Sequence, residues 1–506
     1  MTLKMYIIRT KKLVTKKWCK KVLFKELKTS MEKIKKSKAS MAIIRQGLRT
    51  FFWAIFATAI PLVCYLLAMP GRANILEKAD NFGMLTPGII ISLATLSYFV
   101  FQAILAMFYR PANRLSDNEL PKVTVIIPAY NEGKYVLNSI ESILSSSYPA
   151  EKLEIIAVND GSKDDTQDWI NKACQNNPNK INAIVHPKNM GKKHALVTGI
   201  KAATGEIIVT VDSDSSVEKD AIANIVSAFN SPKVGAVAGS IRVSNLNEGA
   251  IPKMLEVAFC FGFEFMRVAQ SAVHLVLCTP GAISAYRKSA LLPLLDEWLV
   301  QTFWGVPASI GEDRAITSML IRNNWQVNFQ NNACAFTRMP TTYSVLCKMF
   351  IRWCRSDVRE NIIMYKYLFT KAPFFSFRTF ALWVNIIFAS TSMIMPLFIL
   401  PSLLWALILD PFTAGCFTLA NVFIWSLLPA FIYARRYDAK GAIWAFVYGL
   451  YCIPFISWIS VYSCITVRNS NWMTRTATTS ASLPELKKRN KVKYKVAKLL
   501  KYIPFL

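Results

Sequence analysis

Residues 206–214 read EIIVTVDSD. An apolar and β-branched run of this length predicts a buried strand. Asp212 and Asp214 follow it directly, so two carboxylates one residue apart stand on the loop at the strand's end. Mg²⁺ binds one or two carboxylates together with phosphate oxygens and water. The stretch therefore predicts a divalent-cation site for a diphosphate, with a solvated turn as the alternative.

Three further short apolar runs lie upstream, at 123–127, 153–158 and 181–185, and stretches of helical character separate them. Strands that alternate with helices indicate a mostly parallel sheet with helices on both faces. We therefore predict an α/β domain over 110–340. In such sheets ligands bind at the carboxyl ends of the strands.

Two polar segments are predicted near those strand ends. Asp160 follows the run at 153–158, and its carboxylate can accept hydrogen bonds from a base or a ribose. Residues 189–193 read NMGKK, with a glycine for close backbone approach and Lys192 for phosphate or base edges. The sequence has no GxxxxGK[ST] loop, which argues against an ATPase.

Residues 311–314 read GEDR and follow a loop that contains Trp304 and Gly305. A general base must lie within hydrogen-bond reach of the hydroxyl that it deprotonates. We predict Asp313 as this base, with an ordinary N-cap acid at the start of a helix as the alternative.

Residues 348–360 have the pattern of an amphipathic helix and include Arg352 and Trp353. Such a helix suits a membrane interface. Arginine can clamp a phosphate, and tryptophan can stack on a sugar or anchor at lipid headgroups. The residues alone leave both interpretations open, an interfacial anchor and a functional site.

The chain has 506 residues, of which 53% are hydrophobic, and a net charge of +29. Long apolar runs occupy 51–69, 88–109, 379–409, 412–434 and 442–467, and runs of about 20 apolar residues can cross a bilayer. Three histidines make a zinc site or a histidine-based triad improbable, and the eleven cysteines lack CxxC spacing. These features predict a membrane protein with reduced cysteines.

The distribution of Lys and Arg predicts the topology. A basic cytosolic arm (1–50) precedes two transmembrane helices (51–109), and the catalytic domain (110–340) is then cytosolic. Interfacial helices (341–375) lead to a transmembrane or re-entrant region (376–467) and a basic cytosolic tail (468–506). For that tail to stay inside, 442–467 must form a hairpin. The basic ends favour anionic membrane lipid as a partner rather than nucleic acid.

Taken in order, these motifs resemble those of the processive, inverting family 2 glycosyltransferases with the GT-A fold. The set comprises Asp160, the Gly-Lys loop, DSD, a Gly-Ala…Tyr-Arg segment from Gly281 to Arg287, GEDR and Arg-Trp. The resemblance covers about 85–475 and includes hyaluronan, chitin or chitooligosaccharide, poly-N-acetylglucosamine and cellulose synthases. It implies a GT-A domain inserted between transmembrane helices, at the plasma (inner) membrane.

The resemblance also implies roles. Asp160 and Lys192 would hold the uridine of a UDP-sugar, and Asp212 and Asp214 would hold UDP and Mg²⁺ or Mn²⁺, with Asp214 as the direct ligand. Asp313 would be the catalytic base. The acceptor end of a polysaccharide would meet Trp304 and Trp353, and Arg352 would contact the diphosphate. Trp472 and Arg475 would belong to a loop that reaches the nucleotide.

Two positions depart from the family pattern. Met349 replaces the Gln of QxxRW, and Met473 replaces the Gly of a Trp-Gly-Thr-Arg element. Three alternatives to a polysaccharide synthase remain open at this point: a non-processive enzyme with a lipid-linked acceptor, a channel or transporter with a regulatory nucleotide domain, and a nucleic-acid-binding protein.

Overall fold

The computed structural model describes residues 85–373 and 375–470. The predicted basic arm at 1–50, the apolar run at 51–69, and Trp472 and Arg475 lie outside the described residues.

Within this part of the chain, ten strands form two sheets. The strands are β1 (Val123–Ala129), β2 (Leu153–Asn159), β3 (Ile181–Val185), β4 (Ile207–Thr210), β5 (Ser215–Val217), β6 (Val234–Val243), β7 (Ser284–Arg287), β8 (Thr302–Phe303), β9 (Val306–Pro307) and β10 (Gln326–Thr337). The larger sheet has the order β3-β2-β1-β4-β7-β6-β10-β5, and β8 and β9 form a separate hairpin.

The helices alternate with these strands and then follow them. They are α1 (Leu85–Phe108), α2 (Tyr135–Leu144), α3 (Thr166–Asn176), α4 (Lys192–Ala202), α5 (Ala221–Ser227), α6 (Ala250–Phe261), α7 (Val268–Ala272), α8 (Lys288–Leu291), α9 (Leu295–Leu299), α10 (Glu312–Arg322), α11 (Tyr343–Thr370), α12 (Phe377–Ile394), α13 (Pro396–Leu409), α14 (Pro411–Arg436), α15 (Ile443–Phe455) and α16 (Trp458–Ile465). A π-helical turn, Gly262–Arg267, joins α6 to α7, and 3-10 turns span Ala150–Lys152, Leu246–Glu248 and Leu292–Leu294.

The large sheet is mixed rather than wholly parallel. β1 pairs in parallel with β2 and β4, and β6 pairs in parallel with β10. β7 runs antiparallel to both β4 and β6 and so divides the sheet into two parallel halves, while β5 closes one edge antiparallel to β10.

The strands are apolar because both faces of the sheet are covered. Every residue of β1 is buried. Ile126 packs into the apolar layer on one face, and its neighbours Val125 and Ile127 pack into the layer on the other. This two-sided burial explains the near-continuous apolar runs in the sequence. The carboxyl ends of β1, β2 and β4 then share one edge, which brings the predicted site residues together.

Three described helices are long and apolar enough to cross a bilayer, namely α1, α12 and α14. The apolar run at 379–409 forms two helices, because Pro396, which has no backbone N–H, begins α13 directly after α12. Asn385 of α12 accepts hydrogen bonds from Tyr98 Oη (3.2 Å) and Gln102 Nε2 (3.1 Å) of α1. Buried polar contacts of this kind join helices within a membrane bundle.

The last pair of helices, α15 and α16, is bent by 46° at the break between them. At its start, Lys253 of α6 lies 5.3 Å from the ring centre of Trp444. At its end, Arg355 of α11 donates to Thr466 Oγ1 from Nε at 3.1 Å and from Nη2 at 2.9 Å. Elements attached to the α/β domain thus contact both ends of the pair. A bend of 46° is far from a reversal of chain direction and fits either a broken span or a re-entrant element. The hairpin at 442–467 therefore stays a prediction.

Helix α11 is longer than the amphipathic pattern at 348–360 indicated, and its basic side chains have protein partners. Arg355 and Arg359 are each only 1% exposed. Arg359 Nη2 donates to the carbonyl oxygen of Ile310 at 2.6 Å, immediately before α10. Arg314 of α10 donates in return to Asn361 Oδ1 at 3.1 Å. The two helices therefore fix the turn that carries the GEDR sequence.

Gly311 makes this close packing feasible. Its φ is +68°, and a Cβ placed on it would lie 1.8 Å from Ser356 Oγ of α11. We expect Gly311→Ala to destabilise the protein through backbone strain of about 1–2 kcal/mol and overpacking of about 1–3 kcal/mol. Thermal unfolding of the detergent-purified protein measures this loss.

Gly305→Ala is the matched control, because Gly305 also has a positive φ (+79°) but open space around it. It should show only the strain component. Equal losses in the two variants would contradict the proposed close contact between α10 and α11.

Candidate active site

The centre of the site is an ion-pair cluster formed by Lys192. This residue begins α4, directly after Gly191, whose φ is +95°. Its Nζ lies 2.6 Å from Asp212 Oδ1 and 2.8 Å from Glu312 Oε1. Burial alone lowers the pKa of Lys192, but the two carboxylates outweigh burial and raise that pKa above its ordinary value. The ammonium therefore joins the end of β4 to the start of α10.

Glu312 is the second carboxylate of this cluster and is itself buried. Burial raises the pKa of Glu312, yet Lys192 and then Arg352 lower it, to about 2 overall. The charge of Arg352 therefore acts on the cluster from α11. The sequence motif contained Glu312, but no role was predicted for it, because its partner lies 120 residues earlier in the chain.

Gly281 leaves room for the ion pair. A Cβ at this position would lie 2.6 Å from Asp212 Oδ2 and 2.7 Å from Lys192 Nζ. The Gly281 carbonyl oxygen also accepts a hydrogen bond from the Asp212 backbone N–H at 3.1 Å. Only a residue without a side chain fits this contact.

Asp313 lies beside the cluster in the first turn of α10. Its Oδ1 accepts a hydrogen bond from the Arg314 backbone N–H at 2.8 Å, and Cys278 Sγ lies 3.7 Å from its Oδ2. Burial and then the negative charge of Glu312 raise the pKa of Asp313, to about 6 overall. A carboxylate with this pKa suits proton transfer near neutral pH.

A small cavity of about 20 Å³ lies between these groups. Lys192, Asp212, Gly281, Glu312, Asp313 and Trp298 are among its lining residues. The structure thus brings the predicted Lys192, Asp212 and Asp313 together at one opening. It also adds Glu312, Gly281 and Trp298, which had no predicted role.

Asp160 is only 3% exposed and lies at the end of β2. Its Oδ1 contacts His186 Nδ1 at 2.8 Å and accepts a hydrogen bond from the Met190 N–H at 3.0 Å, while Oδ2 accepts one from the Gly191 N–H at 2.7 Å. A carboxylate has about four acceptor positions, so Asp160 keeps one for a ligand. Its three contacts hold the loop that leads to Lys192.

Asp214 lies on the same loop as Asp212 and is half-buried, with Ser215 Oγ at 3.3 Å from its Oδ1. Among the described residues no group of three His, Cys, Asp or Glu side chains is placed to hold a metal ion. Mg²⁺ that is also bound by a substrate phosphate needs only one or two carboxylates. The donor set of Asp212 and Asp214 therefore fits a cation that a diphosphate completes.

The two predicted acceptor tryptophans lie on different elements. Trp353 is on α11, where its ring centre is 5.7 Å from that of Phe350 and 6.2 Å from that of Phe259. Trp304 is at the tip of the β8–β9 hairpin and is 60% exposed. Ser309, between that hairpin and α10, donates from Oγ to the carbonyl oxygen of Ser470 at 2.5 Å. The last described residue, Ser470, is therefore joined to the segment that leads into α10.

Comparison with known proteins agrees with this geometry. Residues 124–293 match the model of the family described as Glycosyl transferase family 2. The chain carries a family 2 glycosyltransferase domain. An N-acetylglucosaminyltransferase of Rhizobium meliloti (strain 1021) is 27% identical over 397 residues, covering 76% of this chain and 90% of that protein. A hyaluronan synthase of Streptococcus pyogenes is 29% identical over 407 residues, covering 78% and 92%.

The family 2 domain also has a relative among solved structures. A mannosyltransferase from Pyrobaculum calidifontis, solved with GDP-Man and Mn²⁺, superposes with a TM-score of 0.50 at 20% identity, covering 81% of this chain and 98% of that one. This likeness concerns the fold. The predicted GT-A domain flanked by apolar helices and the predicted glycosyltransferase activity are confirmed.

The packing of Gly281 in the family 2 domain gives a direct test of the ion pair. We expect Gly281→Ala to separate Lys192 from Asp212. Binding of UDP, the nucleotide of the predicted donor, should then weaken by about 10- to 100-fold, measured by calorimetry with Mn²⁺, since a charge-assisted hydrogen bond contributes about 1.5–3 kcal/mol. Gly262→Ala, where a Cβ meets open space, is the control. Unchanged UDP affinity in Gly281→Ala would contradict a role of this pair in the nucleotide site.

Proposed function

We propose that this protein is a membrane-bound, inverting glycosyltransferase that adds sugars from a UDP-sugar to a growing β-linked polysaccharide. The product would resemble hyaluronan, chitin or poly-N-acetylglucosamine, and synthesis would be coupled to secretion. The observation that carries the proposal is Asp313, a half-buried carboxylate whose pKa is raised to about 6, beside the Asp212–Lys192–Glu312 cluster. It is a base positioned next to groups suited to a diphosphate.

The reaction is a single displacement. The acceptor hydroxyl gives its proton to an oxygen of Asp313, and the hydroxyl oxygen forms a bond to the anomeric carbon. The bond from that carbon to the diphosphate oxygen breaks, and UDP leaves with the electron pair. Because attack and departure occur on opposite faces, an α-linked donor gives a β-linked product.

The leaving group would be stabilised by Lys192 and Arg352, together with a divalent cation that offsets the two carboxylates of the cluster. Lys192 lies between Asp212 and Glu312, and Arg352 is near enough to lower the pKa of Glu312. Asp214, with Asp212, would hold Mg²⁺ or Mn²⁺, which neutralises charge on the departing diphosphate. The mannosyltransferase of similar fold was solved with Mn²⁺, which is in keeping with such a site.

The nucleotide would lie along the loop that Asp160 holds, with the remaining acceptor position of Asp160 directed to the uridine. Trp472 and Arg475, which lie outside the described residues, would contact it, as the family resemblance implies. Trp353 and Trp304 would contact the acceptor. The names of the two relatives, an N-acetylglucosaminyltransferase and a hyaluronan synthase, support amino-sugar polymers as products.

The proposal also places the α/β domain in the cytosol, at the plasma membrane, because nucleotide sugars are supplied on the cytosolic side. The apolar helices α12 to α16 follow directly after α11, which carries Arg352 and Trp353. The acceptor end would therefore lie next to the bilayer, where a product can enter the helix bundle.

The test uses purified full-length protein in detergent with Mn²⁺ or Mg²⁺. Radiolabelled UDP-N-acetylglucosamine and other UDP-sugars are supplied singly and in pairs, and products are sized and digested with linkage-specific hydrolases. We expect long β-linked chains. Single additions would favour the non-processive enzyme with a lipid-linked acceptor, and no transfer from any UDP-sugar would overturn the proposal. Asp313→Asn should slow transfer by about 10²–10⁴-fold, whereas the exposed Asp296→Asn should not.

The pKa of Asp313 predicts the pH dependence of transfer. Because its pKa is raised to about 6, Asp313 is protonated and inactive as a base at pH 5, and its charge returns above pH 6. We expect kcat/KM, measured from initial rates at saturating Mn²⁺, to rise between pH 5 and 7 and then level off. A profile that is flat from pH 5 to 8 while Asp313→Asn is inactive would show that deprotonation of this carboxyl does not limit the rate.

A further inference from the structure

Two consecutive lysines at the start of α4 point to different parts of the protein. Lys192 binds the carboxylates of the cluster described above, whereas Lys193 is 6% exposed and has other partners. Lys193 Nζ donates to the carbonyl oxygens of Ala308 (2.6 Å) and Trp298 (3.2 Å) and to Gln301 Oε1 (3.3 Å). An ammonium has three donors, so all of them are used.

Two of these partners bracket the β8–β9 hairpin. Gln301 immediately precedes it and Ala308 immediately follows it, and the Ala308 N–H donates to the Gln301 carbonyl oxygen at 2.9 Å. Lys193 thus binds both sides of the hairpin's base. Its buried ammonium reinforces a loop that is otherwise held by the Ala308–Gln301 hydrogen bond and one pair of two-residue strands.

The hairpin presents Trp304 in a strained conformation. Trp304 has a φ of +48° and Gly305 a φ of +79°. A bulky residue with positive φ costs of order 1–3 kcal/mol and persists where surrounding structure enforces it, often at functional sites. The indole stacks on buried Phe303 at 4.5 Å between ring centres and leaves its outer face exposed.

The base of the hairpin is also joined to α11. Gln301 Nε2 donates to Glu360 Oε1 at 3.1 Å, and Arg359 Nε lies 3.3 Å from the same oxygen. Arg359 also binds the carbonyl oxygen of Ile310, ahead of Asp313. One buried polar network therefore connects Lys193, the hairpin and the helix that carries Trp353.

We propose that Lys193 is a positioning residue for the acceptor. It holds the base of the β8–β9 hairpin so that the exposed face of Trp304 forms a platform for a sugar ring of the acceptor chain. The adjacent lysines of α4 then have separate roles: Lys192 acts on the donor diphosphate, and Lys193 positions the residue that binds the acceptor. This inference rests on the proposed glycosyltransfer and specifies how its acceptor is recognised.

The test measures initial rates with a short β-linked oligosaccharide acceptor, using the UDP-sugar that the wild-type protein transfers. We expect Trp304→Ala and Lys193→Met each to raise the acceptor KM by about fivefold to tenfold, the effect of one aromatic contact. The donor KM should change by less than about twofold, since the partners of Lys192 are intact. Trp304→Phe should recover most of the acceptor affinity, and Asp296→Asn is the neutral control.

The double variant shows whether Lys193 affects the acceptor KM through Trp304 or independently of it. If Lys193 acts through Trp304, the combination of Lys193→Met and Trp304→Ala raises the acceptor KM no further than Trp304→Ala alone. Additive effects, an unchanged acceptor KM or an equal rise in donor KM would overturn the inference. If Lys193→Met does not fold, Gln301→Ala tests the same network in its place, because it removes the side-chain contacts of Gln301 with Lys193 and Glu360. Failure of the proposed function is distinct, because the wild-type protein would then transfer from no UDP-sugar.

Discussion

The ammonium of Lys192 is the contact on which the site depends. Asp212 and Glu312 come from segments 100 residues apart, and without a cation between them the half-buried carboxylate of Asp212 and the buried one of Glu312 would repel each other. Lys192 attracts both, at 2.6 and 2.8 Å. The ends of β4 and α10 and the start of α4 are thereby fixed around one point. Gly281 leaves room for this ion pair because it has no side chain. Asp160 holds in place the backbone that leads to Lys192.

The strand ends were predictable from sequence because two-sided burial produces apolar runs that stop abruptly at polar residues. Asp160 and Asp212 could be found in this way, whereas GEDR was found from its acidic pair after the loop that contains Trp304 and Gly305. The partners of Lys192 could not, since they depend on sheet register and on the antiparallel insertion of β7 beside β4. A strand of four residues, Ser284–Arg287, carries too little pattern to reveal its direction. Glu312 and Gly281 therefore acquire their roles only through the fold.

The amphipathic pattern of α11 did not reveal what its polar face contacts. A polar face on a helix near apolar segments is compatible with lipid headgroups and equally with a protein surface. In the fold, Arg355 and Arg359 bind Thr466 and the Ile310 carbonyl group, and both are buried. Removing such a charge from water is costly unless every donor finds an acceptor. The helix is thus fixed by protein contacts, and this fixes Arg352 and Trp353 relative to Asp313.

These contacts imply that the α/β domain and the apolar helices form one functional unit. Arg355 links α11 to the end of α16, and Ser309 links the segment before α10 to Ser470. A displacement of the bent pair α15–α16 would therefore move α11, which packs against α10, and also Ser470, which is bonded to Ser309. Because hydrogen-bonded networks around buried groups such as Arg355 resist gradual deformation, we expect Asp313 and Trp304 to hold their relative positions only while the helix bundle is assembled. The membrane segments thus contribute to the geometry of the site as well as to its location.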